Sequence, residues 1–163
     1  MVTEAEKRKH RCCFTGHRPE KLQAPDSVVV AALEKEIRQA IADGFNVFIT
    51  GMARGVDIWA AEIVLRLRDA GEAVRLICAC PYQGFERGWK QSWQERYQAI
   101  LSAADLVRFI CPGYSRSCFQ RRNEWMVDHA ARVIAVWNGQ PSGTKNTFDY
   151  ARLQNVQVVS VER

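Results

Sequence analysis

Short apolar runs alternate along the chain with longer stretches in which apolar residues return every three or four positions. The first kind predicts buried strands and the second amphipathic helices. The runs cover residues 11–15, 46–50, 73–80, 105–111, 132–137 and 156–161. Between them the spacing predicts five helices. One opens at Pro25-Asp26-Ser27, carries Val29, Leu33, Ile37 and Ile41 as its stripe, and closes with Gly44 at C′. Asp26 or Ser27 can cap it. The others cover 57–69, about 89–103, 119–131 and about 144–154. Strands alternating with helices of this length imply βαβ units. The fold class is therefore α/β: one three-layer domain with a mainly parallel sheet of about six strands and helices on both faces. It is expected over residues 11–163, preceded by a basic tail over 1–10.

In a parallel sheet, ligands bind outside the carboxyl ends of the strands. The loops at 16–19, 51–55, 81–89, 112–118 and 138–143 all leave such ends, so they are expected to share one rim. At Thr50-Gly51-Met52-Ala53-Arg54-Gly55-Val56-Asp57 a strand passes through a glycine-bracketed turn into a helix. Glycine lets backbone approach a ligand, and the helix start offers free N–H groups and partial positive charge. This predicts a phosphate cradle formed by Gly51 and Gly55, with Arg54 as counter-charge. Asp57 can cap its helix or hydrogen-bond a ribose hydroxyl or base edge. The spacing is neither GxGxxG nor GxxxxGK[ST], so neither the dinucleotide fingerprint nor the P-loop is met. A second strand–loop–helix passage follows at Asn138-Gly139-Gln140-Pro141-Ser142-Gly143-Thr144-Lys145-Asn146. There Ser142, Gly143 and Thr144 can supply hydroxyls and N–H groups to a phosphate, and Thr144 could equally be an N-cap.

Composition narrows the setting. The chain has 163 residues, 47% hydrophobic and 25% charged, as expected of one soluble domain. No apolar run is long enough to span a bilayer, and no signal peptide follows the charged start, so a cytoplasmic protein without membrane partners is expected. Net charge is +5, which permits an anionic partner. Part of that charge lies in Lys7-Arg8-Lys9-His10-Arg11, read as a solvated end. Six cysteines include no CxxC pair, so reduced core cysteines are expected and a zinc site is not.

Arg121 and Arg122 open a helix, where cations are disfavoured by the helix dipole. A ligand explains that placement. So does one solvated arginine beside one paired with Glu124 or Asp128. His17 and Arg18 follow the first strand, and a structural role for the histidine is favoured. No Ser-His-Asp arrangement or metal cluster is apparent. Asp57, Glu86 and Glu124 are weak candidates for a catalytic carboxylate, and Asp149, farther along its helix, is less favoured. Trp89, Tyr82 or Phe85 could stack on a base.

Five segments occur in order: Cys13-Phe14-Thr15-Gly16-His17-Arg18-Pro19; the 50–62 segment just described, which ends Ile58-Trp59-Ala60-Ala61-Glu62; Cys80-Pro81-Tyr82; Gln120-Arg121-Arg122-Asn123-Glu124-Trp125-Met126-Val127-Asp128; and 137–147. Together they resemble the YpsA-like family of the SLOG superfamily. That superfamily also holds the cytokinin-activating phosphoribohydrolases and the DNA-processing protein DprA. The resemblance implies a Rossmann-like fold, a nucleotide-derived ligand at the rim and a homo-oligomer, dimer or tetramer. The ligand-binding residues it and the loops suggest are Gly16, His17, Arg18, Gly51, Arg54, Gly55, Asp57, Pro81, Arg121, Arg122, Asn123, Asn138, Ser142, Gly143, Thr144 and Asn146. Ser142-Gly143-Thr144 falls where the phosphoribohydrolases carry the GT of PGGxGTxxE, but Asn146 and Thr147 stand in place of their carboxylates. Asparagine cannot shuttle a proton. The expectation is a module that binds or senses an ADP-ribose-like nucleotide derivative for a protein partner, with no required cofactor. Phosphoribohydrolase-like N-glycosidic cleavage ranks second. DprA-like nucleic-acid binding ranks third, because no aromatic-basic stripe marks a single-strand groove.

Overall fold

All five strand pairings in the sheet are parallel, and the six strands lie in the order β4-β3-β2-β1-β5-β6. The computed structural model describes residues 1–161. In chain order the elements are α1 (Glu4–Arg8), β1 (Arg11–Gly16), a 3-10 turn (Pro19–Lys21), α2 (Asp26–Ala42), β2 (Val47–Thr50), α3 (Val56–Asp69), β3 (Arg75–Cys80), α4 (Gln91–Ala103), β4 (Leu106–Phe109), α5 (Cys118–Asp128), β5 (Arg132–Val136), α6 (Gly143–Leu153) and β6 (Gln157–Ser160). The α/β, Rossmann-like reading of the sequence is the fold observed.

Successive side chains of a strand point to opposite faces, and the core follows that rule. Cys12 and Phe14 pack with α2, α3 and α4 through Leu33, Ile37, Val64 and Ile100. Cys13 between them packs with α5 and α6 through Met126, Val127 and Ala151. Two apolar layers, one on each face of a buried sheet, result. Phe14 stacks on Phe48 with ring centroids 6.0 Å apart. All six cysteines are free and buried. Burial pushes the Cys80 and Cys118 thiols up to about 11, which keeps them protonated and unreactive.

Local expectations differ from the structure in three places. Neither Asp26 nor Ser27 caps α2: the N-cap position is Pro25 and no side chain bonds the free N–H groups. Asp26 still lies in the first turn, where the helix dipole favours it. The fourth strand stops at Phe109, and its burial pattern is mostly exposed because it is a sheet edge with a neighbour on one side only. The tail is largely exposed but not featureless. Thr3 and Glu6 form a capping box on α1, and Arg8 Nε donates to Ala130 O at 3.0 Å.

The strand order sets the position of the site. From β1 the chain steps outward through β2, β3 and β4, then returns to the other side of β1 for β5 and β6. The switch point lies between β1 and β5. The loops on either side of it diverge there and leave a crevice at the carboxyl ends of the strands.

Candidate functional site

A cavity of about 610 Å³ occupies that crevice. Its walls come from the loops after β1, β2, β3 and β5 and from the start of α5. The loops after β1 and β5 are tied directly. His17 Nε2 accepts from the Asn138 backbone N–H at 3.0 Å, and Asn138 Nδ2 donates to Lys21 O at 3.1 Å. An accepting Nε2 is unprotonated, and burial also holds the His17 imidazole below its ordinary range. His17 thus serves as a neutral brace across the switch point.

The loop after β2 is built by close approach. Gly16 ends β1 so near α3 that a Cβ there would meet Val56 Cγ2 at 2.5 Å. Gly55 has φ +90°, and a Cβ on it would meet Pro19 Cδ at 2.8 Å. Between the bracketing glycines, Met52 is held at φ 64° with its side chain fully buried. A non-glycine residue in that region is strained, and such strain persists only where surrounding packing enforces it.

The turn places Asp57 one residue into α3. Asp57 does not cap a downstream N–H. Its Oδ2 accepts from the Ala53 N–H at 3.2 Å, reaching back over the turn. Thr50 Oγ1 donates to Asp57 O at 2.8 Å and pins the helix start to the strand end. The carboxylate is only 5% exposed, yet Oδ1 has no protein partner. Burial pushes Asp57 up to about 6, against the opposing pull of Arg122 and the Ala53 N–H.

Arg122, 6% exposed, comes from α5 on the other face of the sheet. Its Nη1 donates to Gly51 O, and its Nε donates to Asn123 Oδ1 at 2.7 Å. A Cβ at Gly51 would meet Asp57 Oδ2 at 3.0 Å and Arg122 Cζ at 3.1 Å, so Gly51 is the gap through which the two charges face one another. Neither Glu124 nor Asp128 pairs with Arg122. Glu124 accepts from Gln120 Nε2, and Asp128 accepts from Tyr150 O–H.

The structure brings together Gly16, His17, Arg18, Arg54, Asp57, Arg122, Asn123, Asn138, Ser142, Gly143 and Thr144 around the cavity. Arg54 also holds Glu20 Oε1 at 3.1 Å. Ser142, not Thr144, is the N-cap of α6, its Oγ accepting from Lys145 N at 3.1 Å. The other expected residues lie outside the lining. Gly51 and Gly55 shape it from behind. The Pro81 carbonyl accepts from Cys111 N and Cys118 Sγ and joins two loops. Arg121 and Asn146 are exposed elsewhere. Of the carboxylate candidates, Glu86 is buried against Gln98 and Glu124 is bound to Gln120, so Asp57 is the one carboxylate lining the cavity among the described residues.

Sequence reasoning missed Lys21 and Phe119. Lys21 reaches the rim through the 3-10 turn, and Phe119 precedes the arginine pair on α5. With Phe85 and Trp89 it makes an aromatic wall, with ring centroids 5.1 Å apart for Phe85–Trp89 and 5.7 Å for Phe85–Phe119. Tyr82 packs on Phe85 and Phe119 outside the lining.

Comparison with known proteins identifies the family. The YpsA model, described as the YspA SLOG family, matches residues 12–160. The chain belongs to this SLOG family. Among its relatives is a UPF0398 protein of Ligilactobacillus salivarius, 26% identical over 129 residues, covering 78% of this chain and 70% of that one. Another is the SPbeta prophage-derived protein YoqJ of Bacillus subtilis, 32% identical over 117 residues, covering 64% of this chain and 68% of that one. In structure, this SLOG-family chain is similar to DNA processing protein A of Streptococcus pneumoniae, with a TM-score of 0.62 at 17% identity. That likeness covers 93% of this chain and 50% of the other. The Helicobacter pylori protein A, described for its single-stranded DNA binding mode, gives 0.64 at 17% identity and covers 96% and 66%. The chain therefore spans half to two-thirds of these two solved chains, and at this identity the likeness concerns the fold. No helix among the described residues is long and apolar enough to cross a membrane. No group of metal-ligating side chains occurs among them either.

Proposed function

We propose that this protein binds a nucleotide or nucleotide-derived, ADP-ribose-like ligand at the β1/β5 switch point and acts as a binding or sensing module. One observation carries the reading. A single cavity combines basic side chains, a helix start, one buried acceptor and an aromatic wall. Arg18, Lys21 and Arg54 supply positive charge at the rim, part of it offset by Glu20 beside Arg54 and Arg18. The start of α6 adds N–H groups and its dipole for a phosphate. Phe85, Trp89 and Phe119 supply π-faces for a base.

Holding is favoured over cutting because glycosidic hydrolysis calls on paired proton-transfer groups, and Asp57 is the one carboxylate in the lining among the described residues. His17 is committed to the loop brace. Thermal denaturation with nucleoside mono- and diphosphates and ADP-ribose tests the reading. At least one is expected to raise Tm by several degrees through preferential binding to the folded state. Absence of a shift across the panel overturns the reading. Chromatographic detection of free base after incubation would instead establish a hydrolase. Binding of a single-stranded nucleic acid is a further reading, ranked after hydrolysis, that the +5 net charge permits, and salt-sensitive binding of a short oligonucleotide would support it.

A further inference from the structure

Of the buried side-chain oxygens without a partner among the described residues, on Asp57, Glu86, Tyr97 and Ser115, Asp57 is the one that lines the cavity. Buried polar atoms are almost always satisfied, and a buried ionised carboxylate oxygen without a donor is costly. Asp57 lines the cavity, so what completes it can come from a bound molecule.

The strand order indicates which part of a ligand that is. Going across the sheet, the loop after β5 brings Ser142, Gly143 and Thr144, and the loop after β1 brings Gly16 to Arg18. The turn after β2 brings Asp57, and the loop after β3 brings Phe85 and Trp89. Three strand spacings separate the first from the last, about 14 Å at the usual strand separation. An elongated ligand with its phosphate at α6 and its base on the aromatic wall therefore puts the moiety between them over Asp57. In a nucleotide that moiety is the sugar. Arg122 behind Gly51 and the basic rim disfavour a ligand ammonium there, which leaves a neutral donor, a hydroxyl.

We propose that Asp57 is a specificity-determining residue that accepts a hydrogen bond from a sugar hydroxyl, so that the site selects ribo- over deoxyribonucleotides. This rests on the nucleotide reading above. A site that hydrogen-bonds a ligand hydroxyl rejects the analogue lacking it, because its own polar group is then left unpaired.

The test is equilibrium binding by titration calorimetry. The probes are the four ribonucleoside 5′-monophosphates and their 2′-deoxy and 3′-deoxy counterparts. Wild type is expected to favour the ribo form over at least one deoxy form by about 10- to 100-fold. Asp57→Ala, whose fold is checked by its melting curve, removes both acceptor oxygens and is expected to lose most of that preference. Equal affinity of wild type for ribo and deoxy ligands overturns this inference and leaves the nucleotide site standing. A preference that survives intact in Asp57→Ala removes Asp57 from the role. Binding of no nucleotide with either sugar overturns both this inference and the reading beneath it. The wild-type comparison decides the sugar question even if the variant fails to fold.

Discussion

Asp57 and Arg122 are opposite charges buried on either side of Gly51, and neither is fully satisfied by the other. Burial raises the carboxyl and lowers the guanidinium, and the ladder of hydrogen bonds runs instead to Ala53 N–H, Gly51 O and Asn123. The consequence can be read as a pH dependence. A carboxyl raised to about 6 in the folded state, from 3.8, binds a proton more tightly folded than unfolded. Its contribution to stability is therefore largest below about pH 4 and falls as pH rises to about 6. The loss is on the order of 2–3 kcal/mol. His17 acts in the opposite sense nearby: its lowered value makes stability rise with pH until about 6.5. Urea denaturation of wild type and Asp57→Asn from pH 4 to 7 separates the two. The wild-type stability, relative to the variant, is expected to decline across pH 4 to 6. A difference that stays level would show that Asp57 is not held in this perturbed state. Such a destabilised group suits a ligand site, since binding groups are commonly kept at the expense of stability.

At the scale of elements, the decisive contact is the abutment of β1 on α3. Gly16 permits it, because any side chain there meets Val56 within 2.5–2.7 Å. Gly16→Ala should push α3 from the sheet and move Asp57 out of register. The expected loss is about 1–3 kcal/mol by chemical denaturation, with weaker nucleotide binding in the folded fraction. Unchanged stability would mean that the two elements are not packed as described. Much at this scale was legible in the sequence. β-branched and apolar runs gave six strands in place, and Gly44 and Gly71 marked helix ends through left-handed backbone, at φ 101° and 109°. What local pattern could not supply were contacts between distant segments. Arg122 meets Gly51 across 71 positions, so local pattern offers only a ligand or the near carboxylates of its own helix as partners and cannot show the Gly51 carbonyl. The Ser142 cap was missed for a different reason, because Ser142 and Thr144 both satisfy the cap preference and only backbone conformation decides between them.

For the whole molecule, the switch in strand order gathers loops far apart in sequence into one cavity. The loop motifs were visible in the sequence, whereas the aromatic wall was only partly so. Phe85 and Trp89 were candidates, but Phe119 joins them only once α5 is placed against the loop after β3. The sheet order also leaves one broad rim where Arg18, Lys21 and Arg54 line the same crevice, with Glu20 3.1 Å from Arg54 and 4.0 Å from Arg18. Arg18 is well exposed, so replacing it together with Lys21 should remove charge from the rim without disturbing the core. The most direct measurement is calorimetric titration of wild type and of the Arg18→Ala, Lys21→Ala double variant with AMP and ADP-ribose. Wild type is predicted to bind at least one of them saturably at one site per chain, with affinity falling about 10-fold or more in the double variant. No heat of binding with either ligand, or equal affinity in the double variant, would contradict a phosphate-holding site at the switch point.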